Sequence, residues 1–154
     1  ACASSPAKLE RLKALGADHL IDYTKEDFVK WVYAKYEKPH RRRFTGGVDV
    51  VVNFTGGDTW VKSMKALHRQ GRLLTCGATA GYDPVEDIRF IWTFELRVLG
   101  SNGWMREDLI TLIELIQAGR LKPVIDRTFG LDQANEAFRL LEDREVFGKV
   151  VVKP

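Results

Sequence analysis

The sequence predicts an α/β protein built on a parallel sheet, and three observations carry that expectation. Residues 48–54, Val-Asp-Val-Val-Val-Asn-Phe, are almost continuous β-branched apolar sequence, the pattern of a strand buried on both faces of a parallel sheet. Up to residue 103, short strand candidates alternate with helical stretches at βαβ spacing. The strand candidates run out into glycine or small polar residues, as at Thr55-Gly56-Gly57 and Gly77-Ala78-Thr79.

The elements follow in order. Residues 1–4 read as a strand end. Ser5 suits an N-cap and Pro6 the first helical position. Leu9, Leu12 and Leu15 then form one apolar side, and Gly16 supplies the stop. Residues 19–23 are a short strand. Thr24 is expected to cap the next helix with Asp27, and Phe28, Val32 and Tyr36 to form its buried stripe. Residues 38–44 form a basic loop. Asp58 begins a helix carrying Val61, Met64 and Leu67, and Gly71 breaks before a strand at 72–76. A short helix is expected at 88–92 and a strand at 96–99. Beyond Gly103 the pattern changes. A helix at 107–118 carries Leu109, Leu112, Ile113 and Ile116, and Asp132 caps a helix with Ala134, Ala137, Phe138 and Leu141. A last strand covers 149–152. A domain boundary is therefore expected near Gly103, giving units 1–103 and 104–154.

Composition narrows the function classes. The chain has 154 residues, 45% of them apolar and 29% charged, with a net charge of +3. No apolar run approaches the ~20 residues of a membrane span. Cys2 and Cys76 read as reduced thiols of a cytoplasmic protein rather than a disulfide framework. His19, His40 and His68 have no metal-ligand spacing. The cluster Arg41-Arg42-Arg43, with Lys35, Lys38 and His40, has no interleaved stacking motif. It reads as a solvated loop rather than a nucleic-acid surface.

Several segments together resemble a known superfamily. They are Ser4-Ser5-Pro6-Ala7-Lys8-Leu9-Glu10, Leu15-Gly16-Ala17-Asp18-His19, Ile21-Asp22-Tyr23, Gly47-Val48-Asp49-Val50-Val51, Gly71-Arg72-Leu73-Leu74, Cys76-Gly77-Ala78-Thr79-Ala80-Gly81, Leu99-Gly100-Ser101 and Phe147-Gly148-Lys149-Val150-Val151. Their order and spacing resemble the medium-chain dehydrogenase/reductases, which include zinc alcohol dehydrogenases and quinone oxidoreductases. The resemblance implies a Rossmann-like parallel sheet at 1–103, followed at 104–154 by a segment returning to the GroES-like catalytic domain. No G-x-G-x-x-G occurs, so the first strand and the pyrophosphate-binding turn are expected upstream. The chain is accordingly expected to be a C-terminal fragment, inactive alone, whose intact parent transfers hydride between NADP(H) and an alcohol, carbonyl or activated alkene. The rival expectation is a non-catalytic nucleotide-binding or interaction fragment. Zinc is compatible with the parent, but no ligand and no catalytic residue carries over to this chain. The segment 71–103 is more similar to zinc-type alcohol dehydrogenases than to zinc-free quinone reductases.

The resemblance also assigns cofactor-binding residues. NAD-binding domains usually present an acid at the end of the second strand. Ala3 stands there, followed by Ser4 and Ser5, with Lys8 one turn on and Tyr23 nearby. Hydroxyls, backbone N–H groups and a cation suit a 2′-phosphate, which favours NADP over NAD. Ser5 also reads as an ordinary cap, Lys8 as a solvated helix residue and Tyr23 as a strand-end aromatic. Thr55, Gly77, Ala78, Thr79, Ser101 and Asn102 follow strands at one sheet edge, where the ribose and nicotinamide are expected. The strand from Leu96 to Leu99 is expected at the lateral edge of the sheet, opposite the side of the missing first strand, pairing two copies into a homodimer.

Overall fold

The computed structural model describes residues 1–154 as a mixed α/β chain in which every paired strand is parallel. It divides into two compact units, Ala1–Asn102 and Gly103–Pro154.

The first unit runs β1 (Cys2–Ala3), α1 (Pro6–Ala14), β2 (Ile21–Asp22), α2 (Phe28–Tyr36), β3 (Val48–Val52), α3 (Thr59–Ala66), β4 (Leu67–Thr75), α4 (Arg89–Thr93) and β5 (Arg97–Gly100). β1 pairs with β2, and a second sheet has the order β3-β4-β5. β1 and β3 each keep an unpaired edge. α1 begins as its sequence requires: the Ser5 side chain accepts from the Lys8 backbone N–H at 3.4 Å and Pro6 occupies the first turn. It stops where Gly16 takes a φ of 96°.

α2 departs from expectation at its start. Asp27, not Thr24, is the cap, accepting from the N–H groups of Val29 at 2.9 Å and Lys30 at 3.2 Å. Thr24 is taken by Asp22, whose Oδ1 accepts both its hydroxyl at 2.6 Å and its N–H at 3.1 Å. This local turn at the strand end competes successfully with helix initiation. Val29 and Val32 are buried, while Tyr36 stays exposed, edge-on to Trp31 at 6.0 Å.

Asp27 also pairs with Lys62 of α3 at 2.8 Å, tying the two helices together. Its hydrogen bond to Lys62, with the two N–H donors of α2, holds the carboxyl below the usual carboxylate range against the opposing effect of burial. A depressed folded-state value adds stability above the unfolded pKa of ~3.9, which is lost as pH falls through the folded value. Asp27→Ala should therefore cost about 1 kcal/mol at neutral pH, the usual loss for a cap. The gap should shrink below about pH 4, where the unfolded-state carboxyl protonates. Urea denaturation of both proteins across pH checks this; a gap independent of pH would count against it.

The core of this unit is Met64, Leu67, Leu73 and Leu96, with Val48, Val51, Phe90 and Ile91 against it. Asp49, Val50 and Val52 are exposed, contrary to the expected two-sided burial; β3 is an edge strand, paired only with β4. The expected break at Gly71 is a register irregularity inside a longer β4. Val48 faces Leu67, but Val50 already faces Arg72. Gln70 takes a φ of 63° in the bulge, and its N–H donates to the Phe94 carbonyl at 2.7 Å.

The second unit comprises α5 (Arg106–Gln117), β6 (Ile125–Gly130), a 3-10 turn (Leu131–Gln133), α6 (Ala134–Glu142) and β7 (Lys149–Lys153). β6 was not legible in the sequence, where the consecutive polar residues Asp126, Arg127 and Thr128 interrupt any apolar alternation; it pairs with β7. Asp132 lies in the 3-10 turn and does not cap α6. The core here is Phe129, Ala137 and Leu140. Phe138 and Leu141, expected inside, are exposed, and α5 buries no residue within this unit.

Candidate functional site

In a parallel sheet all strands end on the same side, and ligands bind beyond those ends. Here the ends of β3, β4 and β5 release the loops that begin at Asn53, Cys76 and Ser101. Between the first two lies a cleft of about 400 Å³. Gly56, Thr75, Gly77, Ala78 and Gly81 line it on the strand side, with Trp60, Tyr82 and Glu86 on the outer side. The outer segment is latched by the Trp60 indole N–H, which donates to Glu86 Oε2 at 3.3 Å.

The two loops are stitched through their backbones. Ala80 N–H donates to the Thr55 carbonyl at 2.7 Å, Gly57 N–H to Gly81 at 2.8 Å, and Thr79 N–H to Phe54 at 3.4 Å. Gly56 has a φ of 69°, and a Cβ there would stand 2.4 Å from the Gly81 carbonyl oxygen and 2.8 Å from Ala78 Cβ. The approach of these loops therefore needs glycine at that position.

The sequence-selected residues fall into two groups. Gly77 and Ala78 line the cleft, and Thr55 and Thr79 lie in the stitch beside it. Ser101 joins through its N–H, which donates to Thr75 at 2.8 Å; Asn102 is exposed and does not line the cleft. The other group gathers where β1 ends. Tyr23 N–H donates to the Ala3 carbonyl at 3.2 Å, setting the half-exposed Tyr23 beside the turn that carries Ser4, Ser5 and Lys8. Ser4 is exposed, while Ser5 and Lys8 are half-buried.

Asn53 was missed in the sequence. It is 5% exposed and hydrogen-bonded at both ends of its amide. The available signal was a lone amide closing an apolar run just before Thr55-Gly56-Gly57. No group of three or more His, Cys, Asp or Glu side chains in this chain could hold a metal ion.

The sequence over residues 15–152 matches the family described as zinc-binding dehydrogenase. The chain belongs to that family, within the medium-chain dehydrogenase/reductases. An acryloyl-coenzyme A reductase of Sulfurisphaera tokodaii (strain DSM 16993 / JCM 10545 / NBRC 100140 / 7) is 30% identical over 153 residues, 92% of this chain and 45% of that protein. A solved NAD-dependent alcohol dehydrogenase superposes with a TM-score of 0.85 at 36% identity, over 99% of this chain and 43% of that one. A 2-octenoyl-CoA carboxylase reductase, solved with NADP and 2-octenoyl-CoA, gives a TM-score of 0.82 at 27% identity, over 98% of this chain and 36% of that one. The chain spans less than half the length of the curated relatives it matches, for instance 32% of a crotonyl-CoA reductase of Streptomyces collinus. These relatives and neighbours are oxidoreductases by name, and no helix of this chain is long and apolar enough to cross a membrane.

Proposed function

We propose that this chain forms the adenosine and nicotinamide pockets of an oxidoreductase that transfers hydride between NADP(H) and a carbonyl, alcohol or activated alkene. The observation that carries the reading is the glycine-lined cleft beyond parallel strands, where two backbone loops approach too closely for any Cβ at Gly56. Such a cradle suits a flat ring and ribose held by backbone groups. The residues present therefore fit the nicotinamide half of the cofactor.

When bound, the cofactor supplies the hydride; the protein orients it and excludes competing reactions. Gly77, Ala78 and Thr79 present backbone N–H and C=O groups to the carboxamide, and Ser101 and Asn102 border the same end. Thr55 meets the ribose side. At the other end Ser4, Ser5 and Lys8 receive the 2′-phosphate, and Tyr23 covers the adenine. The acid or metal that polarises substrate belongs to a catalytic domain upstream, to which residues 104–154 return. The parent works in the cytoplasm as a homodimer joined through the free edge of β5, which pairs only with β4.

The test compares the 154-residue chain with the same chain carrying its upstream sequence. The longer protein should oxidise NADPH in the presence of an α,β-unsaturated or simple carbonyl substrate, at a rate proportional to enzyme. The shorter chain should show no turnover. NADPH binding by the longer protein without turnover on any such substrate would favour a non-catalytic nucleotide-binding role. Turnover by the short chain alone would overturn the division of labour.

A further inference from the structure

We infer that Asn53 is a positioning residue for the nicotinamide end of the cleft, its amide fixing the loop after β3 against the loop after β4. The inference rests on the reading that this cleft receives the nicotinamide half of the cofactor.

Asn53 stands one residue beyond β3 and is buried. Its Oδ1 accepts from the backbone N–H groups of Thr55 and Gly56, each at 2.9 Å. Its Nδ2 donates to Thr59 Oγ1 at 3.0 Å and to Ser63 Oγ at 2.8 Å. Both hydroxyls already use their single protons: Thr59 Oγ1 donates to the Gly56 carbonyl at 2.6 Å and Ser63 Oγ to the Thr59 carbonyl at 2.8 Å. Toward Asn53 they can only accept. The network therefore leaves one orientation for the amide, with both N–H bonds and both acceptor directions occupied.

That directionality selects asparagine over aspartate. A carboxylate would keep the acceptor side but present oxygen to two oxygens with no proton left to give. The hydroxyls would have to abandon their backbone carbonyls, loosening the first turn of α3, or a buried charge would stay half-satisfied. The consequence reaches the cleft because Gly56 is wedged against Gly81 and Ala78, and because Thr55 and Gly57 are bonded to Ala80 and Gly81. A shift at Thr55–Gly56 therefore moves both walls. Nothing in this network involves Ser4, Ser5, Lys8 or Tyr23.

The test uses the intact parent with Asn53→Asp and Ser63→Ala, and titrates two probes: NADPH, and the adenosine half alone as 2′,5′-ADP. For Asn53→Asp, NADPH affinity should fall about tenfold, equivalent to ~1.4 kcal/mol, while 2′,5′-ADP affinity stays unchanged. Hydrogen exchange should quicken at residues 54–57 and 78–81. Ser63→Ala removes one acceptor and leaves Asn53 in place, so it should show the same asymmetry at about threefold, well below a full tenfold step. It carries the test if Asn53→Asp does not fold. Equal weakening of both probes, or neither weakening, would reduce Asn53 to a structural role and leave the cofactor reading intact. If the unaltered parent binds no nicotinamide dinucleotide, that reading falls and this inference with it.

Discussion

Ala3→Asp in the intact parent should move the ratio of kcat/KM for NADPH over NADH by about 100-fold toward NADH. The reason is local. β1 ends at Ala3, and Ser4, Ser5 and Lys8 follow, so the proposed adenosine pocket holds no acid at the end of that strand. A carboxylate there would accept from the ribose diol of NADH and repel the 2′-phosphate of NADPH. At the low end each effect counts for about 1.5 kcal/mol, the scale of hydrogen bonds to charged groups. Each ~1.4 kcal/mol is tenfold, so the two together reach about 100-fold. Ala3 is only 9% exposed, so the new carboxylate also loses solvation. A ratio measured on one variant cancels that common cost. The companion variant, Lys8→Ala, should weaken NADPH about tenfold, near the low end because Lys8 is part-exposed, and leave NADH nearly untouched. A parent that prefers NADH, or a Lys8→Ala variant that weakens both cofactors alike, would move the phosphate pocket elsewhere. Ser5 would then be a cap and nothing more.

In the proposed homodimer of the intact parent, Val98→Pro should weaken association by about 30- to 100-fold. Ser101 N–H donates to Thr75 on β4 at 2.8 Å. Strand alternation then turns the N–H groups of Leu99 and Arg97 toward β4 as well, and those of Val98 and Gly100 toward the free edge. Val98 is 40% exposed and pairs in register with Leu73. Proline at this position removes an outward donor while sparing the ladder to β4. In a two-fold interface the loss counts twice, and two backbone hydrogen bonds at about 1 to 1.5 kcal/mol each give that factor. Leu99→Pro is the contrast: its N–H faces β4, so it should unfold the sheet edge rather than merely separate two folded copies. Sedimentation equilibrium with far-UV circular dichroism separates the outcomes. A Val98→Pro protein that stays dimeric and folded would remove β5 from the interface.

The local chemistry of the chain was legible in its residues. Ser5 before Pro6 forecast the start of α1 and Gly16 its end, because caps and positive-φ stops act within a few residues. The alternation of strands and helices forecast parallel pairing, since a right-handed crossover leaves little other choice. What depended on partners far along the chain was not legible. Burial of β3 depends on its neighbours, and β3 pairs only with β4 and leaves Asp49, Val50 and Val52 exposed. β6 became a strand because β7 pairs with it, not because Asp126, Arg127 and Thr128 favour one. Thr24 bonds to Asp22 at the end of β2, and Asp27 caps α2 instead. Asn53 looked like the polar end of an apolar run. Only the fold placed Thr59 and Ser63 one helical turn apart, both hydroxyls already donating, and the loop N–H groups on the other side. Sequence determines which groups can donate and accept; tertiary structure decides which donors are already used, and so what each buried amide must do.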